Sequence, residues 1–288
     1  MLNICLVSPH ETRTPGIFNV ISRLAHIIAL LNNSKRQPVN LVQTHRQSKK
    51  WLRKEEKTEE GRPMKVKYRH EWKHEINLSD SIIIRQRLRA VARPDPHAVN
   101  GSYEIRSLYF DDLADKALRE KIDGLNRREK FRIRYYNGDT SLIHLEKKSR
   151  INGLCNKVSA PLTRQEAQSI VDGNLDWMRE SRYPLVLELY AKMRAQGIRP
   201  KTIVDYRRDP FIFGPGNVRV TLDYNIRTGM RCTDFLNPGC ITVPAGDAPI
   251  ILEVKWDEYL PDIIRDAVDL KGRHAGAFSK YAVCRIYG

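Results

Sequence analysis

The feature that most constrains this chain is a recurring extended pattern with basic residues at every second position. In Phe131-Arg132-Ile133-Arg134-Tyr135 the two arginines fall on one side of a strand and the apolar residues on the other. Tyr68-Arg69-His70-Glu71-Trp72-Lys73 places Arg69, Glu71 and Lys73 together. Glu146 joins Lys148, Arg219 joins Thr221 and Asp223, and Glu253 joins Lys255 on three further strands. One such strand is an ordinary strand with a wet face. Five with the same habit are harder to dismiss, because like charges facing each other across strands cost stability unless an anion neutralises them. Curling such a sheet into a barrel with the polar faces inward gives a charged tunnel, with the apolar faces packed against helices outside.

The remaining pattern supports an α+β domain built on an antiparallel sheet or closed barrel. Period-two alternation predicts strands over 67–76, 103–109, 130–136, 141–148, 202–209, 217–225 and 250–256. Helical patterns fall between them. Ser79-Asp80 predicts a cap for a helix reaching about Val91, which Pro94 ends. Thr163 and Glu166 form a capping-box pattern. A helix over 184–196 is closed by Gly197 and Pro200, and a short one covers 261–268. The Gly214-Pro215-Gly216 turn is read as a strand connector.

Residues 1–63 read differently. One amphipathic stretch, 17–31, precedes a polar, basic tract with little to bury, which predicts a disordered extension or a start placed too early, with Met64 opening the regular text. The domain proper is expected over 64–288. The chain of 288 residues carries 50 Lys+Arg against 34 Asp+Glu. Residues 1–63 hold 11 Lys/Arg against 5 Asp/Glu, leaving 39 against 29 for the rest, so the basicity belongs mainly to the folded part. That balance points to an anionic partner: nucleic acid, a membrane surface or a polyphosphorylated molecule. No stretch approaches the roughly 20 apolar residues of a membrane span. Five cysteines without a CxxC pair argue against a disulfide scaffold or zinc ribbon and fit a reducing, cytoplasmic setting.

The residue types suit phosphate. Arginine offers a planar fork to phosphate oxygens and lysine a compact charge. Carboxylates among the cations suit a divalent ion such as Mg²⁺ or Mn²⁺, which takes oxygen ligands and bridges phosphates. A site of this kind performs phosphoryl transfer by positioning and neutralisation. No GxxxxGK[ST] loop and no GxGxxG fingerprint is present. His70 and His74 are four apart, but on a strand pattern, which argues against a helical zinc pair.

Tyr68-Arg-His-Glu-Trp-Lys73, Arg106-Ser-Leu-Tyr-Phe-Asp111, Arg132-Ile-Arg134, Leu145-Glu-Lys-Lys148, Leu252-Glu-Val-Lys255 and Phe278-Ser-Lys-Tyr281 occur in the order seen in VTC domains. These are the polyphosphate polymerase domains of the vacuolar transporter chaperone family and its bacterial relatives. The resemblance covers about Met64 to the C-terminus. It implies a triphosphate tunnel metalloenzyme fold and transfer of the terminal phosphate of ATP to a growing polyphosphate chain, with Mn²⁺ preferred. Lys73, Arg132, Arg134, Lys148, Arg208 and Arg219 match the basic positions that hold the triphosphate. Tyr206 matches a phosphate-contacting tyrosine, and Lys280 and Lys157 match further basic residues of the tunnel. Arg69 shares the strand face of Lys73 and joins the substrate-binding set. Glu253 matches the metal-binding glutamate, with Glu146 as its assistant.

There are departures. Ala277 stands where the eukaryotic polymerase carries a lysine, and Arg273 is expected to substitute for it. Glu71 is a single glutamate where hydrolases of the superfamily carry an ExExK pattern, which favours the polymerase branch. Two alternatives stay open: a triphosphatase or other nucleotide-processing enzyme on the same scaffold, and a non-enzymatic module that binds polyphosphate or nucleic acid. The cationic strand faces lack the interleaved aromatics of a nucleic-acid stacking platform.

Overall fold

The computed structural model describes residues 69–247 and 249–286; the extension expected over 1–63 lies outside them. The strands are β1 (His70–Ile76), β2 (Arg93–Pro94), β3 (Tyr103–Asp111), β4 (Arg127–Tyr136), β5 (Asp139–Ile151), β6 (Leu154–Leu162), β7 (Arg199–Phe213), β8 (Val218–Thr228), β9 (Val243–Pro244) and β10 (Ile250–Trp256). The helices are α1 (Leu78–Val91), α2 (Lys116–Ile122), α3 (Arg164–Val171), α4 (Pro184–Gln196), α5 (Asp262–Val268) and α6 (Lys280–Ile286).

Local chemistry sets several boundaries. Asn77, one turn before Asp80, caps α1 in a reciprocal capping box, so the expected cap shifts upstream of Ser79. Thr163 and Glu166 form the second box, at α3. Pro184 opens α4, and Gly197 closes it at φ 67°, a left-handed conformation that glycine adopts without a side-chain clash. Gly216, also left-handed at φ 69°, turns β7 into β8 as the connector reading expects; a Cβ there would lie 2.4 Å from the Tyr259 carbonyl oxygen.

All strands join one antiparallel sheet, in the order β1-β10-β8-β7-β3-β4-β5-β6, with β2 on β7 and β9 on β8. The sheet curls. Its outer strands meet at a single bridge, Arg69 to Cys155, in place of the continuous ladder that a fully closed barrel requires. The apolar faces turn outward, where helices cover them. α3 and α4 pack Ala167, Ile170, Leu185, Val186 and Leu189 against Phe131, Ile133, Leu145 and Leu162. α1 and α5 pack Ile84, Leu88, Ile264 and Val268 against Val220, Leu252 and Val254.

The inner face departs from an all-polar lining. Ile105 and Tyr109 on β3, Val204 and Tyr206 on β7 and Ile251 on β10 form a third apolar cluster with Tyr281 and Cys284 of α6. These residues share strand parity with the charged ones. The carboxyl-terminal helix therefore packs against inward-facing residues of the sheet. Among the described residues, no helix is long and apolar enough to cross a membrane.

Candidate active site

The polar strand faces converge on one cavity of about 380 Å³. Its walls contain every residue singled out for substrate or metal: Lys73, Arg132, Arg134, Lys148, Arg208, Arg219, Tyr206, Lys280, Lys157, Arg69, Glu253 and Glu146. Eleven lysines and arginines line it against three glutamates, so the wall carries a large excess of positive charge. The alternation of each strand brought these side chains to one face, and the sheet's curl turned those faces toward one another.

Strand register sets opposite charges directly across from each other. Lys73 faces Glu253, and Glu71 faces Lys255, across β1 and β10. Arg132 faces Glu146 across β4 and β5, and Arg208 faces Asp223 across β7 and β8. Three acidic centres result. At the first, Glu71 and Glu253 share cations. Lys73 Nζ lies 2.9 Å from Glu71 and 3.3 Å from Glu253, and Lys255 also contacts both. Lys148 adds a 2.9 Å contact to Glu71. At the second, Glu146 receives Arg132 at 2.6 Å and Lys157 at 2.9 Å, with Arg134 at 3.9 Å. At the third, fully buried Asp223 accepts two bonds from Arg208, at 2.6 and 2.7 Å, and one from Lys280 at 2.5 Å.

Neutral acceptors and rings complete the wall. Arg134, itself buried, donates to Ser107 Oγ at 2.8 Å and to the Tyr206 hydroxyl at 2.9 Å. The Tyr206 ring lies beneath Arg134, Arg208 and Lys280, so this tyrosine orients three cations at once. Arg219 bonds Asp95 at 2.8 Å and the Tyr103 hydroxyl. Arg69 pairs with Asp257 at 2.8 Å. Arg273 pairs with Asp80 of α1 at 2.7 Å and borders neither the central cavity nor the adjoining one that Ala277 lines, so it does not stand in for the lysine absent there.

The charges shift the titrations. Burial pushes the Glu71 carboxyl up and Glu253 adds to that, but Lys73, Lys148 and Lys255 outweigh both and hold it well below the usual carboxylate range. Burial likewise opposes ionisation of Glu146 and Glu253, and the surrounding Lys and Arg charges again hold both far below that range. Burial raises the Tyr109 hydroxyl, yet Arg132, Lys130 and Arg134 bring it down to about 7. All three glutamates are thus ionised at neutral pH.

Reading the strands one at a time left several residues without a role. Asp223 was visible as a member of a polar face; its double pairing with Arg208 and Lys280 depends on contacts between strands and a distant helix. Glu71 was visible as a departure from a hydrolase pattern; the structure makes it the acid that shares lysines with Glu253, while Glu146 lies among Arg132, Arg134 and Lys157. Lys130 carries the same parity as Arg132 and Arg134, a signal that extends the basic face by one position.

The donor chemistry bears on a metal. Carboxylate oxygens are hard donors of the kind Mg²⁺ and Mn²⁺ take. Among the described residues no group of three or more His, Cys, Asp or Glu is placed to enclose an ion. Glu71 and Glu253 are the two acids that share one set of cations, and lysine ammonium groups stand against both carboxylates here.

A curled antiparallel sheet around a cation-walled cavity with buried acidic centres is the class of protein that the fold and the site define. Residues 68–286 match the family model of the VTC domain, and the chain belongs to that family. Among solved structures, it is similar to a protein from Bacillus halodurans described as a candidate adenylate cyclase, at 11% identity, covering 66% of this chain and 80% of that one with a TM-score of 0.43. It is also similar to the PH1012 protein of Pyrococcus horikoshii OT3, at 14% identity, covering 75% and 98% with a TM-score of 0.42. Comparison with curated proteins finds no match.

Proposed function

We propose that this VTC domain is a metal-dependent phosphotransferase that moves the terminal phosphate of ATP onto a growing polyphosphate chain. The observation that carries this reading is the cavity wall, where eleven cations face three glutamates on opposing strands. Lys73, Arg132, Arg134, Lys148, Arg208 and Arg219 would neutralise the phosphates, with Tyr206, Lys280, Lys157 and Arg69 fixing the path of the chain. Glu253 with Glu71 would hold a divalent cation, Mn²⁺ or Mg²⁺, which would supply positive charge against that of the phosphates. The terminal oxygen of the acceptor chain attacks the γ-phosphorus in line. One P–O bond forms, the bond to the β-phosphate oxygen breaks, and ADP leaves with that bond's electrons. The attacking oxygen is already anionic, so positioning replaces a general base.

A cavity of about 380 Å³ supports a phosphate chain over a nucleic-acid duplex as the ligand. A triphosphatase would share the site and use water as acceptor. The test incubates the full chain with ATP and Mn²⁺ and resolves polyphosphate, ADP and orthophosphate. Chains with ADP in step support the polymerase, and Arg132→Ala is expected to abolish them at unchanged circular dichroism. Orthophosphate without chains would overturn polymerisation in favour of hydrolysis, and unconsumed ATP would overturn both.

A further inference from the structure

Among the lysines and arginines of the cavity wall, Lys130 alone makes no ion pair within the described residues. Its ammonium instead lies 5.4 Å from the centroid of the Tyr109 ring. Tyr109 is buried, is stacked on Tyr281 at 5.1 Å and accepts a 2.8 Å hydrogen bond from Arg132. This ring supports the lysine, which has no carboxylate partner among the described residues.

Register sharpens the point. Lys130 stands directly opposite Lys148, which stands opposite Lys157, so three lysines form one row across β4, β5 and β6. Lys148 is relieved by Glu71 and Lys157 by Glu146. Lys130 has no such relief, and like charges set opposite one another destabilise a sheet. The next row along sets Arg128 opposite Arg150. Lys130 also borders an adjoining cavity of about 330 Å³. There Lys121 and Arg128 donate to the backbone carbonyls of Ala277 and Leu125.

We propose that Lys130 is a further phosphate-contacting residue, placed where the central cavity meets the adjoining one and engaged by the anion without displacing a carboxylate. This rests on the reading of the cavity as a phosphate-chain site. The other wall cations exchange a carboxylate for a phosphate on binding, so each gains only a difference. Lys130 gains the whole interaction.

The titration of Lys130 agrees with this geometry. Burial pushes its ammonium down to about 7, with Lys148, Lys73 and Arg132 acting in the same direction against Tyr109. The groups around it are Tyr109 of β3, Arg128 and Arg132 of its own strand, Lys148 and Arg150 of β5, Glu71 and Lys73 of β1, Glu120 and Lys121 of α2, and Tyr281 of α6. An arriving phosphate favours the charged form, so binding takes up a proton near pH 7.5 and weakens as pH rises.

The test is calorimetry of inorganic tripolyphosphate on the full chain, without metal, at pH 7.5 in two buffers of different ionisation enthalpy. Wild type, Lys130→Ala and Lys130→Arg are compared. Lys130→Ala is expected to bind about tenfold more weakly with reduced proton uptake. Lys130→Arg keeps affinity while losing the same part of the uptake, because a guanidinium stays charged. Below pH 7, where the ammonium is charged, Lys130→Ala should also melt at or above the wild-type temperature, since it removes a charge without a carboxylate partner. Unchanged affinity in Lys130→Ala, or unchanged proton uptake in Lys130→Arg, overturns the proposal even where Arg132→Ala abolishes binding. Failure of wild type to bind tripolyphosphate overturns the proposal together with the reading beneath it.

Discussion

Asp223 offers the sharpest test of how this cation-walled cavity stays folded with no anion bound. The carboxylate is fully buried and neutralises Arg208 through two bonds and Lys280 through a third. Asp223→Asn keeps the shape and removes the charge, leaving both cations without their principal counter-ion. Removing one partner of a buried ion pair costs about 3–5 kcal/mol. At about 2–4 °C per kcal/mol for a domain of this size, melting should fall by about 6–20 °C. Thermal unfolding at pH 7 measures this directly. Tripolyphosphate should then raise the melting temperature of Asp223→Asn by more than that of wild type, because the phosphates supply the missing negative charge. A variant that melts within about 2 °C of wild type, or gains no more from the anion, would refute the view that buried acids hold the place of phosphate.

Other consequences follow from the same geometry. Glu71, Glu146 and Glu253 ionise well below the ordinary value of 4.5, so the stability they contribute is present above pH 4.5 and is lost as pH falls toward their folded values; melting against pH should show that acid limb, and Glu146→Gln should reduce its slope. Gly216→Ala meets the Tyr259 carbonyl and an unfavourable left-handed backbone, so it should cost well over 1 kcal/mol by denaturant titration. Phe235 is fully buried against Tyr135, and Phe235→Ala should cost about 3–5 kcal/mol by the same measurement.

Much of the site was legible residue by residue. Extended backbone alternates its side chains whatever it pairs with, so Arg132 with Arg134, Glu253 with Lys255 and Arg219 with Asp223 could be assigned to common faces locally. Helix ends written in side-chain chemistry were equally legible, as at Thr163 and Glu166 or at Pro184 and Gly197. β6 was not. Leu154-Cys-Asn-Lys-Val-Ser-Ala-Pro-Leu162 lacks clean alternation and carries Pro161, which an edge strand tolerates because one side of its backbone needs no partner. Arg273 was misread because proximity to Lys280 in sequence says nothing about Asp80, on a helix far upstream.

By itself, then, the sequence determined which side chains share a strand face and how basic that face is, since both follow from backbone geometry and composition. Tertiary structure alone decided which faces oppose one another. β1 pairs with β10, though the two lie at opposite ends of the domain's chain, and that register places Glu71 and Glu253 around the same lysines. Lys130 stands opposite a lysine instead of a glutamate through a different, local pairing, the β4–β5 hairpin. Backbone hydrogen bonds between strands far apart in the chain set the β1–β10 register, which no local pattern encodes, whereas the Asn137-Gly138 turn sets that of the β4–β5 hairpin.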